Sequence, residues 1–325
     1  MPDLNFDNPE VRKEIINVGL WWLKEASVDG YRLDAAQHVY DPNHPAKNVE
    51  WWKEFSDALK KQKPDVITIG ECWNTYPRVA QYLQSLSGAF NFQLSWSILK
   101  SLQKEKNDST AELLSTIRSE YEKYSDHFID PIFVSNHDNN RILSDLDGSK
   151  AKAKLAACIY LTLPGTPFIY YGEEIGMRGK KPDSLIREPF LWDEKRKDLH
   201  QTYWEAGINS TEKAVEPLSE QLGARSSFYH HYKTLINLRK LTKGLTSREF
   251  EPLDLKNGNL LAYFRGAGND DLIVIHNLSG EKISSTFPDS LKNFDHTIYS
   301  APKKIHPKKN KLTLPAYSTI VLSKH

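Results

Sequence analysis

Hydrophobic positions up to about residue 241 fall into two alternating rhythms. Asn8 can cap a helix with Pro9 in its first turn, and Val11, Ile15, Val18 and Trp22 follow at spacings of four, three and four, the period of an amphipathic helix. Val28 to Leu33 then reads as a short strand ending in Asp34, a residue that strands disfavour. A second helix carries Val49, Trp52, Phe55 and Leu59 on one face and stops at Pro64, and Asp65 to Gly70 reads as a second buried strand running into Glu71. Three further strands are predicted at Ala89 to Trp96, Pro131 to Ser135 and Pro167 to Tyr171. Helices are predicted near Ala111 to Tyr124, Lys150 to Leu163 and Ser227 to Leu241. Such alternation predicts a parallel sheet with helical crossovers, whose strands all end on the face that carries chemistry in these folds.

The texture changes near Leu245. Short alternating runs at Leu260 to Arg265, Leu272 to His276, His296 to Tyr299 and Tyr317 to Leu322, separated by Gly, Asn, Asp and Pro, predict an all-β domain. Between Gly176 and Gly223 lies a long irregular stretch rich in charge, Pro and Trp, which reads as binding loops.

Composition narrows the classes. The 43 basic and 42 acidic side chains nearly cancel over 325 residues, so no large single-sign field is available to draw in nucleic acid or anionic membranes. No apolar run approaches the roughly 20 residues needed to cross a bilayer. Two cysteines, Cys72 and Cys158, exclude a disulfide scaffold and a cysteine-based zinc site; they leave room for one bridge, and buried free thiols are the preferred reading. The amino-terminal residues lack the basic start and apolar core of a secretory signal, which leaves localisation open.

Charged residues gather at three predicted strand ends: Arg32 and Asp34, then Glu71, then His137 and Asp138. Three carboxylates on one rim suit glycoside cleavage, where one acts as nucleophile, a second protonates the leaving oxygen and a third can hold substrate and stabilise positive charge. The plain alternative for each is a strand end or a helix cap.

These segments also carry a resemblance. Asp29-Gly-Tyr-Arg-Leu-Asp-Ala-Ala-Gln-His38, Gly70-Glu-Cys-Trp73 and Phe133-Val-Ser-Asn-His-Asp-Asn-Asn-Arg141 closely resemble three ordered motifs of the α-amylase family of glycoside hydrolases. Met1-Pro-Asp-Leu-Asn5 and Leu163 to Glu174 resemble further segments of that family, and the spacings of 37 residues from Asp34 to Glu71 and 67 from Glu71 to Asp138 agree with it. The resemblance implies Asp34 as nucleophile, Glu71 as general acid/base and Asp138 as transition-state stabiliser. Arg32 would sit beside Asp34, and His137 would bind hydroxyls of the reacting sugar. Asp183 and Arg187 resemble residues that hold sugar on the non-reducing side, while Tyr31 and Trp73 are candidates for stacking on sugar rings. Arg141 braces its loop on this reading, and Glu173 and Glu174 are structural.

The fold so implied is an incomplete (β/α) TIM-type barrel of about five parallel strands over residues 1–243, matching the fourth to eighth strands of the family's barrel. An antiparallel β-sandwich without catalytic groups, Asp254 and Asp295 included, follows over residues 244–325. The expected activity is retaining cleavage of α-1,4-glucans such as starch and maltodextrins. The alternatives are transglycosylation of the cyclodextrin glucanotransferase type and a weak or inactive remnant acting as a binding protein. No cofactor is expected for the chemistry, and of the family's calcium ligands only the main-chain carbonyl of a residue like His38 is recognisable. Gln37 stands where many relatives carry Lys. Unpaired edges at Val28 to Leu33 and Pro167 to Tyr171 lead to an expectation of self-association or of a complementing chain.

Overall fold

The computed structural model describes residues 3–41, 44–193, 195, 197–202, 204, 206–211, 213–266, 268–286, 288, 291–308 and 311–324. Met1 and Pro2 of the Met1-to-Asn5 segment lie outside the described residues. The order of elements begins α1 (Pro9–Glu25), β1 (Gly30–Leu33), α2 (Pro45–Gln62), β2 (Ile67–Gly70), α3 (Tyr76–Tyr82), β3 (Gly88–Ala89), α4 (Phe92–Lys104), α5 (Thr110–Tyr121) and β4 (Pro131–Ile132). It continues with α6 (Ile142–Asp145), α7 (Lys150–Thr162), β5 (Thr166–Pro167), α8 (Asp183–Ile186), α9 (Leu218–Gln221), α10 (Phe228–Leu241) and α11 (Lys243–Thr246). The strands that close the chain are β6 (Glu249–Pro252), β7 (Leu260–Gly266), β8 (Leu272–Asn277), β9 (Ile283–Thr286), β10 (His296–Ala301), β11 (Lys311–Leu314) and β12 (Ser318–Ser323). Two compact units form, Met1–Gln93 with Thr116–Pro131, and Leu94–Ser115 with Ile132–His325.

In the first unit, Asn8 caps α1 by accepting the Glu10 N–H at 3.0 Å, with Pro9 next in line. The buried face of this helix is not the expected one. Gly19 and Leu23 are buried, whereas Val18 and Trp22 are exposed. Gly19 is the reason, because a Cβ there would stand 3.0 to 3.1 Å from Leu59 and Phe55, so the bare backbone lets α1 settle directly on α2. On α2, Trp52, Phe55 and Leu59 are buried as expected, joined by Trp51.

Strands β1, β2 and β3 form a parallel sheet in that order, with Gly30 opposite Ile67, Leu33 opposite Gly70, and Ile69 opposite Gly88. Gly30 is required by this close approach, since a Cβ would overlap the Ile67 carbonyl. Beyond the strands the backbone stays stitched together. The Glu71 N–H donates to the Leu33 carbonyl at 2.9 Å, and Ala35 takes a left-handed turn (φ 44°) that brings the Ala36 N–H to the Glu71 carbonyl at 3.0 Å. Residues 34 and 71 are thereby fixed side by side.

In the second unit, Ile132 of β4 accepts the Phe168 N–H that follows β5 at 2.8 Å. The predicted strand from Ala89 to Trp96 is corrected: β3 ends at Ala89 and α4 begins at Phe92. Phe90, Phe92, Leu94, Trp96 and Ile98 alternate like a strand, yet Leu94, Ile98 and Leu102 also repeat at helical spacing. The helix wins because those three are fully buried while Trp96 turns outward. Leu155 to Thr162 of α7 are buried without interruption, the mark of a helix inside the core rather than on its surface.

The carboxy-terminal sheet runs β10-β12-β8-β7-β6, all antiparallel, with β9 and β11 as a separate two-stranded ribbon. Its runs were expected to alternate between buried and exposed, but all six residues of β8 are buried. Both faces are covered. Leu261, Tyr263, Leu272, Val274 and Val321 join the helical core with α7 and α10, and Ile273, Ile275, Ile320 and Leu322 pack with Leu312 and Leu314 of the ribbon.

One arginine ties α7 to α10. Arg239 donates from Nη1 to the Leu161 and Leu163 carbonyls at 2.9 and 2.8 Å and from Nη2 to the Gly165 carbonyl at 2.6 Å, covering acceptors that a helix leaves open at its end. Arg239→Met is expected to cost about 2–4 kcal/mol of stability, since orphaned buried acceptors carry ~1–3 kcal/mol each. A urea titration with unchanged slope and a lowered midpoint is the expected reading. Cys72 and Cys158 are both buried and free, and burial pushes their thiols up to about 12 and about 11.

Candidate active site

The first unit holds Arg32, Asp34, Glu71 and Trp73. Alternation along β1 turns Arg32 away from the helices. Its Nη1 pairs with Asp34 Oδ1 at 2.7 Å and its Nη2 pairs with Glu71 Oε2, so one guanidinium bridges both carboxylates. Their surroundings differ sharply: the Asp34 side chain is 77% exposed and that of Glu71 is 9% exposed. Trp73 donates its indole N–H to Glu71 Oε1 at 2.7 Å, leans on Phe92 with ring centroids 4.5 Å apart, and keeps 40% of its surface open.

Tyr31 is a correction. Strand alternation points it opposite to Arg32, where its hydroxyl donates to the Gly19 carbonyl at 2.5 Å and its ring meets Phe55 edge-on at 6.1 Å. It fastens β1 to its helices and is not a platform for sugar. Gln37 is also buried: its amide nitrogen reaches the Trp73 carbonyl at 3.3 Å and His38 Nε2 at 2.9 Å, and its oxygen accepts from Asn74 at 3.3 Å. It braces the two loops that carry Asp34 and Trp73.

The second unit holds His137, Asp138, Asp183 and Arg187. His137 Nε2 lies 3.1 Å from Asp138 Oδ2, and Arg187 Nη2 lies 2.9 Å from Asp138 Oδ1 and 3.0 Å from Asp183 Oδ2. Arg187 Nε also donates to the His137 carbonyl at 2.8 Å. The i,i+4 spacing of Asp183 and Arg187 across α8 is what aligns them. Lys181, which sequence reading did not single out, pairs with Asp183 at 3.2 Å, and its backbone N–H reaches Asn140 at 2.8 Å. The loop itself is anchored from below. Arg141 is fully buried, donates to the Tyr171 carbonyl at 2.6 Å, and lies 4.6 and 4.7 Å from the ring centroids of Tyr170 and Tyr171.

Two carboxylates beneath these groups are structural. Glu173, at the end of the segment after β5, accepts from Ser135, Tyr160 and Tyr232, and burial lifts it to about 8. Glu188, absent from the sequence reading, is buried next to Arg187 and accepts the N–H groups of Ile208, Asn209 and Ser210 at 2.8 to 2.9 Å. A charged residue between Arg187 and a proline gave no signal that it organises a loop twenty residues away. Among the described residues no group of three or more His, Cys, Asp or Glu side chains could hold a metal ion.

Comparison with known proteins agrees with the motifs. The profile described as alpha amylase, catalytic domain, matches residues 1–247, and that of the alpha-amylase SusG C-terminal domain matches residues 260–321. Alpha-amylase 3 of Dictyoglomus thermophilum is 40% identical over 322 residues, covering 99% of this chain and 63% of that protein. The 4-alpha-glucanotransferase of Thermotoga maritima is 32% identical over 286 residues, covering 87% and 62% respectively. The crystal structure of the alpha-amylase from H. orenii superimposes with a TM-score of 0.89 at 35% identity, over all of this chain and 66% of that one. The chain thus spans about two thirds of the length of these relatives, with their barrel-type fold and a carboxy-terminal antiparallel sheet. It belongs to the α-amylase family of glycoside hydrolases.

Proposed function

We propose that this chain carries the catalytic groups of a retaining α-1,4-glucan hydrolase acting on starch and maltodextrins. Asp34 is the nucleophile, Glu71 the general acid/base and Asp138 the third carboxylate that stabilises the transition state. His137, Asp183, Arg187 and Trp73 bind sugar, and β1 to β5 supply the fourth to eighth strands of the barrel. The observation that carries this reading is the shared guanidinium of Arg32. Two carboxylates held by one fork are close, as a retaining mechanism needs at about 5–5.5 Å, and leave little room for the water that an inverting one admits at about 6.5–9.5 Å. Their unequal exposure also suits unequal roles: an open Asp34 for attack and a sheltered Glu71 for proton transfer.

Because two inversions at the anomeric carbon cancel, newly released reducing ends should appear first as the α anomer. Proton NMR in the first minutes of starch cleavage reads this directly, and initial β product would replace the nucleophile by an activated water. The likeness to a protein named 4-alpha-glucanotransferase favours one second reading, transfer of the same glycosyl intermediate to a sugar acceptor. Resolving the products from maltooligosaccharides separates the two. Shorter linear products alone mean hydrolysis, products longer than the substrate or cyclic mean transfer, and no products mean a binding protein.

The carboxy-terminal sheet carries no catalytic group on this reading. Asp254, an exposed partner of Lys256 at 2.6 Å, should tolerate replacement by Ala with turnover unchanged and stability altered by less than ~1 kcal/mol. Loss of turnover in a folded Asp254→Ala chain would contradict it.

A further inference from the structure

A cavity of about 260 Å³ opens within the second unit, among α7, α10, β10 and β12. None of its lining residues belongs to the candidate active site. Lys154, Arg225, His230 and His231 face it, and among the described residues no carboxylate does. Lys154 is partly buried. Its ammonium donates to the Ser226 carbonyl and sits 5.1 Å from the centre of the Phe228 ring, and burial lowers its affinity for a proton. Lys150 and Glu216 act on it only through space, and neither Lys154 nor Arg225 has an ion-pair partner among the described residues. A cation taken partly out of water without a counter-charge in contact is costly, and an anion entering beside it reduces that cost.

We propose that this cavity binds a small phosphate-bearing molecule. A tetrahedral oxyanion offers several strong acceptors, matched by a point ammonium at Lys154 and a planar fork at Arg225. His230 spends its Nδ1–H on Ser227 Oγ at 3.1 Å, since that hydroxyl already donates to the Gln221 carbonyl, and so frames the pocket without being counted among its donors. His231 directs Nε2 to the Lys154 carbonyl at 2.8 Å, which orients the backbone under the ammonium. The rest of the wall mixes apolar Leu155, Ala301 and Pro302 with hydroxyl-bearing Thr234, Tyr317 and Thr319, which suits a compact polar organic body beside the phosphate. Cys158 lines the same space, but its thiol is fully buried and held protonated, so the site binds and does not react.

The test is isothermal titration of the full chain at pH 7 and constant ionic strength with inorganic phosphate, glucose 6-phosphate and glucose. Both phosphates should bind, glucose 6-phosphate at least as tightly as inorganic phosphate, and glucose should give no saturable heat. Lys154→Met should weaken phosphate binding at least tenfold. Arg225→Gln, at an exposed position where folding is not at risk, should weaken it several-fold. Starch turnover should not change in either variant. Absence of binding by both phosphates, equal binding of glucose and glucose 6-phosphate, or phosphate affinity unchanged in the two variants would each overturn the proposal.

Discussion

Asp34→Asn and Glu71→Gln are each expected to lower starch turnover by at least ~10²- to 10⁴-fold, the usual worth of a proton transfer alone. Both substitutions conserve shape, so the loss should be chemical and not structural. Asp34 is exposed, and its bond to Arg32 is a pair of the kind that contributes about 0–1 kcal/mol to stability. In Glu71→Gln the amide oxygen could still accept the Trp73 N–H that the carboxylate accepts now. A reducing-end assay beside a thermal melt separates the two effects: turnover collapses while the melting temperature moves little. The double variant should be hardly worse than either single one, because groups acting in one step fail together. Unchanged cleavage in a folded single variant would remove that residue from the mechanism.

Arg32 adds a sharper consequence. In the free chain its fork engages both carboxylates at once. On the proposed reading Glu71 is the acid, sheltered beside the indole of Trp73, and Arg32 is the group that positions it against Asp34. Arg32→Lys replaces a planar fork by a point charge that cannot bridge in the same way. Its pH–rate profile should shift on the limb that reports the acid, whereas a merely structural arginine would change the rate without moving the limb.

The first helix was legible because cap and periodicity agree: Asn8 caps α1 as its sequence context predicts, while the caps that Ser149 and Ser227 form on α7 and α10 emerge only in the structure. What could not be read was which of two periods wins when both are satisfied. Phe90 to Ile98 fits a strand and a helix equally, and only the surrounding core selects Leu94, Ile98 and Leu102. The buried face of α1 was misread because the residue that decides it, Gly19, has no side chain to signal hydrophobicity. Strands at the candidate site were found because they end abruptly in charge. Tyr31 was misassigned for a related reason: adjacency to Arg32 in sequence means opposite faces in a strand. The supporting residues Lys181 and Glu188 act through contacts with distant backbone, which no local pattern announces.

The contribution of Glu173 to stability is expected to fall as pH rises from about 4.5 to about 8, and Glu173→Gln removes that fall. Glu173 is enclosed, and burial outweighs both its hydroxyl partners and the nearby charge of Arg141 in setting its proton affinity. The folded chain therefore keeps this group protonated to about 8, while the unfolded chain releases the proton near 4.5. Below 4.5 both states hold the proton and nothing is lost. Between the two values the unfolded state binds fewer protons at this group, so its contribution declines with pH, and above 8 the deficit levels off on the order of 5 kcal/mol at ~1.4 kcal/mol per unit. Glutamine reproduces the neutral acid and removes the linkage, so the variant should melt higher than the parent at pH 9 and close to it at pH 4.5. Two buried histidines work in the opposite sense. His231 and His276 are lowered to about 4 and about 3 by burial, and both chains should lose stability as pH falls below 6.5. Equal melting temperatures for the two chains at pH 9 would mean that Glu173 ionises in the folded state as readily as in the unfolded one.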